Sequence, residues 1–238
     1  MPSLEKSILD TARAMLGQSL TLGAWGNLSA RDPGSGNIYL TPSGMDYREC
    51  VEDDIVVFDP EGKPVRGRRR PSVEKEMHLL ILRLNPRVNA VIHTHAAHST
   101  VLAIAGLDLP AVTEEFAQVL GRSAPCCEYA PAGSRALAEN AARALGDGFR
   151  AVILPNHGAL CVGEDLATAL RACGVLEKTA EVYVKARSMG VEPRVISRED
   201  ADRLFEFYHT SYGQGKTPDG GTGAAGPGSA DFKPLKHK

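Results

Sequence analysis

The chain has 238 residues, of which 43% are hydrophobic and 24% charged, as is ordinary for a globular protein with one large domain or two small ones. Its net charge of −2 gives no electrostatic basis for binding nucleic acid or an acidic membrane surface. No run of about 18 apolar residues predicts a membrane span, and the N-terminus lacks the basic and apolar regions of a secretory signal. Five cysteines without a Cys-X-X-Cys arrangement favour a reduced protein, so we expect a cytoplasmic location.

Hydrophobic periodicity and turn signals predict alternating helices and strands. Helices are predicted at residues 4–20, 72–85, 98–105, 134–145, 165–188 and 200–208. Strands are predicted at residues 27–31, 38–41, 55–59, 88–92, 126–131, 151–154 and 159–162. Predicted N-caps are Ser3, Ser72, Ser134 and Asp165. Hairpins mixed with helical crossovers predict a three-layer α/β/α fold with a central mixed, largely antiparallel sheet. Residues 214–238 are rich in Gly, Pro and Lys and are predicted to be a disordered tail.

Two histidines separated by one residue end the predicted strand at 88–92. Side chains at i and i+2 of an extended segment point to the same face, so His93 and His95 present two imidazoles to one point. A third imidazole, His157, follows the apolar run at 151–154. An isolated His-X-His is more often an ordinary surface or core pair. Three histidines with one open position instead indicate a catalytic divalent-metal site, most often zinc.

Small residues at loop tips offer candidate sites for an anion. Gly26-Asn27 and Ser43-Gly44 expose backbone N–H groups at two tips, although turn formation alone would also explain them. The predicted helix start at Ser72 adds a third set of free N–H groups and places Glu74 in the first turn. His78 follows four residues later and is interpreted as a packing or supporting residue rather than a metal ligand.

Four segments that occur in one order carry a family resemblance. They are Gly26-Asn27-Leu28-Ser29, Thr41-Pro42-Ser43-Gly44, Pro71-Ser72-Val73-Glu74 leading to His78, and His93-Thr94-His95 with Asn156-His157-Gly158. Together they resemble the class II aldolase/adducin family, most closely its L-fuculose-1-phosphate aldolase branch. The resemblance covers about residues 4–213, so we expect one catalytic domain over 1–213 followed by the tail at 214–238.

The resemblance implies a role for each matching residue. His93, His95 and His157 would hold one divalent metal per subunit, with Zn²⁺ expected and Mn²⁺ or Co²⁺ as alternatives. Glu74 would be the catalytic acid/base and would occupy the metal's open position when no substrate is bound. Tyr212 would be the catalytic tyrosine of a C-terminal segment that closes over the site. The substrate phosphate would be bound by Gly26, Asn27, Ser43, Gly44, Ser72 and Val73.

The sequence departs from the branch at two places. Val73 stands where these aldolases often have a serine, which leaves a backbone N–H but no hydroxyl. The branch also uses a tyrosine from a neighbouring subunit at the aldehyde oxygen, whereas residues 112–116 contain no tyrosine. Members of this branch are cyclic homotetramers with sites at subunit interfaces, so the resemblance implies a homotetramer here.

The expected reaction is cleavage of a ketose 1-phosphate to dihydroxyacetone phosphate and an aldehyde through a metal-stabilised enediolate. Fuculose 1-phosphate and a 5-deoxy- or 5-methylthio-pentulose 1-phosphate are both candidate substrates. A dehydratase, a decarboxylase or an epimerase of sugar phosphates on the same metal site is the alternative. The epimerase branch resembles Ser-Ser-Asp where this chain has Ser72-Val73-Glu74, which disfavours epimerisation. A non-catalytic adducin-like interaction module is the remote alternative, because such modules lack the histidines.

Overall fold

A seven-stranded sheet forms the middle layer of the computed structural model, which describes residues 2–146 and 148–213. The strands are β1 (Asn27–Arg31), β2 (Ile38–Leu40), β3 (Val56–Phe58), β4 (Pro64–Arg66), β5 (Ala90–Thr94), β6 (Leu109–Pro110), β7 (Ser123–Ala124), β8 (Ala151–Leu154) and β9 (Gly158–Gly163). The main sheet has the order β4-β3-β2-β1-β5-β9-β8 with antiparallel neighbours, and β6 and β7 pair separately.

Helices cover both faces of the sheet. They are α1 (Leu4–Gly17), α2 (Lys75–Leu84), α3 (Ala97–Ala105), α4 (Glu114–Leu120), α5 (Arg135–Leu145), α6 (Leu166–Ser188) and α7 (Arg198–Thr210). One buried cluster joins the sheet to α1, α3, α4, α6 and α7, and the other joins it to α2 and α5. Successive side chains of β5 point to opposite faces of the sheet, so Ile92 packs in the first cluster and Val91 in the second. The predicted three-layer fold is therefore confirmed.

Three of the longer helices begin at the side-chain N-caps that the sequence predicts. The side chains of Ser3, Ser134 and Asp165 each accept a hydrogen bond from a backbone N–H in the first turn. The prediction that Ser72 caps α2 is wrong, because the helix begins at Lys75 with Glu74 in the N-cap position. Ser72 Oγ instead accepts from the backbone N–H of Glu74 at 3.2 Å and fixes the turn before the helix. The carboxylate of Glu74 is thereby left free of capping.

The predicted strand at 126–131 is also wrong. Cys126 forms only an isolated parallel bridge with Ile153, and the nearby strand β7 ends at Ala124. Proline at 125 and 131 limits regular pairing on both sides of this segment, because proline donates no backbone hydrogen bond. The tail predicted at 214–238 lies outside the described residues. Within residues 2–146 and 148–213, no helix is long and apolar enough to cross a bilayer.

Candidate active site

The central strands of the sheet bring the three histidines together. His93 lies in β5, opposite Asn27 of β1 and Leu160 of β9. His95 follows the end of β5, where its backbone N–H donates to the carbonyl of Leu20 at 3.0 Å. His157 occupies the turn between β8 and β9. The convergence predicted from the His-X-His spacing and the later Asn-His-Gly motif is therefore present in the fold.

The turn that carries His157 depends on two unusual neighbours. Asn156 has φ +55°, in the left-handed region that asparagine tolerates better than most residues. A Cβ atom on Gly158 would lie 2.2 Å from the carbonyl oxygen of Thr94, so only glycine allows β9 to approach β5 this closely. The Asn-His-Gly sequence thus positions His157 against the strand that carries His93.

The three imidazoles form a compact cluster. Their ring centroids are 4.6 Å apart for His93 and His95, 4.7 Å for His93 and His157, and 5.0 Å for His95 and His157. One nitrogen from each ring lies within 4.8 Å of the others. The Nε2 atoms of His93 and His95 are only 2.8 Å apart. Such a cluster of nitrogens matches the ligand set of a three-histidine metal site.

The protonation of the cluster also suits a metal. His93 Nδ1 lies 2.9 Å from the carbonyl oxygen of Ala159, and because a carbonyl can only accept, this nitrogen carries the proton. The lone pair of a neutral His93 ring is therefore on Nε2, which faces His95. Burial and the neighbouring rings of His93 and His157 lower the pKa of His95 to about 4. Burial and His93 also lower the pKa of His157. Neutral imidazole is the form that binds a divalent cation.

Glu74 extends the cluster with a carboxylate that is only 4% exposed. Its Oε2 lies 3.3 Å from His93 Nε2, and its Oε1 lies 3.5 Å from His157 Nε2. Burial acts to raise the pKa of this carboxyl, but His93 and the hydrogen bond from Asn27 outweigh it. The pKa is therefore below its ordinary value, and the carboxylate is ionised at neutral pH.

One oxygen of this carboxylate is unsatisfied. Glu74 Oε2 accepts a hydrogen bond from Asn27 Nδ2 at 2.8 Å, whereas the buried Oε1 has no hydrogen-bond partner. A buried carboxylate oxygen without a partner is costly unless a ligand or cation satisfies it. His93 is oriented by its hydrogen bond to Ala159, and His95 and His157 have lowered pKa values. Together with the unsatisfied oxygen of Glu74, these three imidazoles fit a divalent cation as its ligands.

The three segments predicted to bind phosphate are adjacent in the structure. The backbone N–H of Ser43 donates to Arg70 O at 2.9 Å, and that of Ser72 donates to Thr41 O at 3.2 Å. Thr41 in turn accepts at its hydroxyl from the backbone N–H of Leu28, one residue beyond Asn27. Within the described residues, the N–H groups of Gly44 and Val73 donate to no protein acceptor. Two free donors thus remain beside the exposed edge of these loops.

Two residues that support the loop at Gly26 carry no motif in the sequence. Tyr47 is 1% exposed and donates its hydroxyl to the carbonyl oxygen of Gly26 at 2.8 Å, and burial raises its pKa to about 12. Thr21 donates its hydroxyl to the carbonyl oxygen of Trp25. Tyr47 could not be singled out from the sequence, because its partner lies 21 residues away, and the local contact of Thr21 forms part of no sequence motif.

Tyr212 is placed at the surface. It follows α7, its side chain is 55% exposed, and its ring stacks on Tyr208 with centroids 5.4 Å apart. Its other ring contact in the described chain is with Phe207. The catalytic role expected of Tyr212 stays a prediction.

Comparison with known proteins agrees with this geometry. Residues 6–184 match the family described as Class II Aldolase and Adducin N-terminal domain. The chain is 36% identical over 208 residues to the 5-methylthioribulose-1-phosphate/5-deoxyribulose-1-phosphate aldolase of Rhodospirillum rubrum, covering 87% of this chain and 92% of that protein. It is 31% identical over 209 residues to the 5-deoxy-D-ribulose 1-phosphate aldolase of Bacillus thuringiensis, covering 88% and 96%.

A solved structure of an L-fuculose 1-phosphate aldolase superposes with a TM-score of 0.83 at 36% identity, over 88% of this chain and 98% of that one. The family match over residues 6–184 spans the four motifs that carry the resemblance in sequence. The chain therefore belongs to the class II aldolase/adducin family.

Proposed function

We propose that the protein cleaves a ketose 1-phosphate into dihydroxyacetone phosphate and an aldehyde, with a 5-deoxy- or 5-methylthio-pentulose 1-phosphate or fuculose 1-phosphate as substrate. The observation that carries the proposal is the convergence of an ionised Glu74 on three imidazoles in a chain whose relatives are named aldolases. The proposed catalytic domain covers residues 1–213. A non-catalytic adducin-like module is disfavoured, because it would have no use for this cluster.

The proposed reaction breaks the bond between C3 and C4 of the ketose. The electron pair stays with C3, the C4 hydroxyl loses its proton as the aldehyde forms, and C3 gains a proton. A divalent ion bound by His93, His95 and His157, proposed to be Zn²⁺ with Mn²⁺ or Co²⁺ as alternatives, would act as a Lewis acid and lower the energy of the developing negative charge by several kcal/mol.

Glu74 is proposed to transfer the proton at C3. Its lowered pKa keeps it ionised, so in the condensation direction it can remove a proton from C3 of dihydroxyacetone phosphate. In the cleavage direction its protonated form returns that proton, as microscopic reversibility requires. The hydrogen bond from Asn27 holds the carboxylate in place during both transfers.

The phosphate of the substrate is proposed to lie against the three linked segments. The N–H groups of Gly44 and Val73 are free to donate, and the hydroxyls of Ser43 and Ser72 are beside them. Gly26 and Asn27 complete the set, with the second amide proton of Asn27 as a further donor. A doubly charged phosphate would be bound by several N–H dipoles without needing a fixed positive side chain.

The proposal includes a homotetramer with sites at subunit interfaces, in which Tyr212 closes over the substrate. The exposed position of Tyr212 at the end of α7 is compatible with contact to a neighbouring subunit. Light scattering that gives the mass of one chain would contradict this part of the proposal without affecting the assignment of the metal ligands.

The experiment is a coupled assay for dihydroxyacetone phosphate with Zn²⁺, Mn²⁺ or Co²⁺ supplied and a panel of ketose 1-phosphates. Release that disappears with a chelator and returns with metal supports the aldolase, and the best substrate defines the aldehyde. Metal-loaded protein that consumes a sugar phosphate without releasing dihydroxyacetone phosphate would instead indicate dehydration or decarboxylation.

A further inference from the structure

A line of buried polar side chains runs from Glu74 away from the three imidazoles. Asn27 Nδ2 contacts Glu74 Oε2 at 2.8 Å, Asn27 Oδ1 contacts His78 Nε2 at 2.5 Å, and His78 Nδ1 contacts Ser29 Oγ at 2.8 Å. All four side chains are buried, with His78 and Ser29 at 0% exposure. This line of side chains is therefore almost entirely shielded from bulk water, with Asn27 the most exposed member at 6%.

Secondary structure explains why these side chains meet. Asn27 and Ser29 are two residues apart in β1 and point to the same face of the sheet, the face covered by α2. Glu74 and His78 are four residues apart at the start of α2 and lie on the same side of that helix. The two pairs therefore interleave between β1 and α2.

Only one assignment of the protons satisfies every contact. The Glu74 carboxylate can only accept, so Asn27 must direct its amide nitrogen there and its carbonyl oxygen to His78. That oxygen can only accept, so His78 Nε2 must carry a proton. Burial lowers the pKa of His78 to about 3, so the ring is neutral and Nδ1 accepts from the hydroxyl of Ser29. The reverse amide orientation would place two acceptors 2.8 Å apart.

We propose that His78 and Ser29 are positioning residues for the proton transfer by Glu74. They fix the orientation of the Asn27 amide, and the amide fixes Glu74 Oε2, which leaves the unpartnered Oε1 as the oxygen that exchanges a proton with substrate. The inference rests on the proposed role of Glu74. It assigns to His78 a function beyond filling space between β1 and α2.

Histidine suits the central position because its neutral ring is a donor on one side and an acceptor on the other. Phenylalanine would place a somewhat larger ring at this position with neither group, so Asn27 would lose the partner that sets its orientation. Glutamine would keep an N–H near the position of Nε2 and could still donate to Asn27. These two substitutions therefore separate the packing role of His78 from the hydrogen-bonding role.

The first test measures exchange of the C3 hydrogen of dihydroxyacetone phosphate with solvent deuterium by NMR, using metal-loaded protein. This assay reports proton transfer without carbon–carbon cleavage. His78→Phe is expected to slow exchange at saturating substrate by at least about 10-fold, which is part of the roughly 10²–10⁴-fold that a general base contributes. Metal content should change less than about 3-fold, because His78 makes no hydrogen bond to the three histidines, and the pH profile of exchange should shift as Glu74 loses its fixed donor.

Two further variants give the controls. His78→Gln should restore most of the exchange rate. Ile81→Val, which alters a buried apolar residue one turn further along α2, should lower the Tm slightly and leave exchange unchanged. Exchange in folded His78→Phe protein equal to that of the wild type would overturn the inference. If His78→Phe does not fold, Ser29→Ala provides the same comparison, with a smaller loss of exchange expected.

The tautomer of His78 gives an independent readout. ¹⁵N NMR of the wild-type protein is expected to find the neutral His78 ring with its proton on Nε2 across the neutral pH range. A proton on Nδ1, or a charged ring, would contradict the assigned donors and acceptors of the hydrogen bonds from Glu74 to Ser29. If wild-type protein catalyses no exchange but His78 has the expected tautomer, the proposed aldolase function is wrong, whereas the assigned hydrogen bonds from Glu74 to Ser29 are correct.

Discussion

Asn27 and His93 face each other across the β1–β5 pair, and this register joins the two halves of the active site. His93 provides a nitrogen to the histidine cluster, and Asn27 provides the amide that binds the Glu74 carboxylate. Because the pairing is fixed by backbone hydrogen bonds in the middle of the sheet, the spacing between carboxylate and imidazoles is set before any ligand binds. Such a site requires little rearrangement to bind a cation.

The first prediction concerns proton transfer by Glu74. Glu74→Gln keeps the size of the side chain and an acceptor for Asn27, but it cannot carry the transferred proton. We expect kcat to fall by about 10²–10⁴-fold, the usual contribution of a general acid or base, with KM changed only slightly. Glu76→Gln, on the same helix but exposed, is the matched control and should retain full activity. Full activity in Glu74→Gln would refute the assignment.

The second prediction concerns the metal. Chelation should lower the rate of cleavage by at least about 10²-fold. Several kcal/mol of charge stabilisation are lost, and about 1.36 kcal/mol corresponds to a tenfold change in rate. The apo protein should also unfold at a lower temperature, since a ligand that binds only the folded state stabilises it by about 2.7 kcal/mol at 100 times its Kd.

His157→Ala should remove both effects of metal, because it deletes one of the three ligands. His98→Gln is the control, since His98 contacts Glu177 rather than the cluster and should leave bound metal unchanged. Elemental analysis of both purified variants checks this directly. Equal metal content in His157→Ala and wild type would show that the cluster is not the binding site.

Local patterns in the sequence predict much of this fold. Helical spacing and the caps Ser3, Ser134 and Asp165 correctly place α1, α5 and α6, because those signals are contained in a few neighbouring residues. The His-X-His spacing predicts two imidazoles on one face for the same reason, and strand alternation is enough to aim them.

Contacts between distant segments could not be predicted in the same way. The sequence suggests that His78 supports the site, but its partners Ser29 and Asn27 follow from how α2 packs on β1. The early start predicted for α2 fails because Ser72 pairs with Thr41 across the chain, which holds residues 72–74 in a turn. Tertiary hydrogen bonds override a local capping signal here.

The third prediction concerns the close approach at Gly26. This residue has φ +71°, and a Cβ atom would lie 2.7 Å from the carbonyl oxygen of His93. We expect Gly26→Ala to destabilise the fold by about 1–3 kcal/mol from backbone strain alone and to weaken metal binding, because His93 must shift. Denaturant unfolding and metal titration measure the two effects.

Gly17→Ala is the matched control for that substitution. Gly17 is the last residue of α1, and nothing lies within 4 Å of the position of its Cβ. Alanine is favoured over glycine in a helix, so this variant should be neutral or up to about 1 kcal/mol more stable. Similar behaviour of the two alanine variants would mean that the contact between Gly26 and His93 is unimportant.

The last prediction concerns Asp54, a carboxylate remote from the active site. Its side chain is 2% exposed and accepts hydrogen bonds from the backbone N–H of Val51 at 3.0 Å and from Arg69 Nε at 2.7 Å. These bonds hold its pKa below the ordinary value of 3.8 in the folded protein. Folding therefore favours the ionised form of this group.

The sign of the resulting pH dependence follows from linkage. Stability contributed by Asp54 is fully present above the unfolded pKa and is lost as the pH falls through the lower folded pKa. We expect Asp54→Asn to be less stable than wild type at neutral pH, and the difference to shrink as the pH falls below about 4. Urea unfolding of both proteins between pH 7 and about pH 2.5 measures it. Asp53→Asn, at the exposed neighbouring position, should have no such effect, and a pH-independent difference for Asp54→Asn would contradict the assignment.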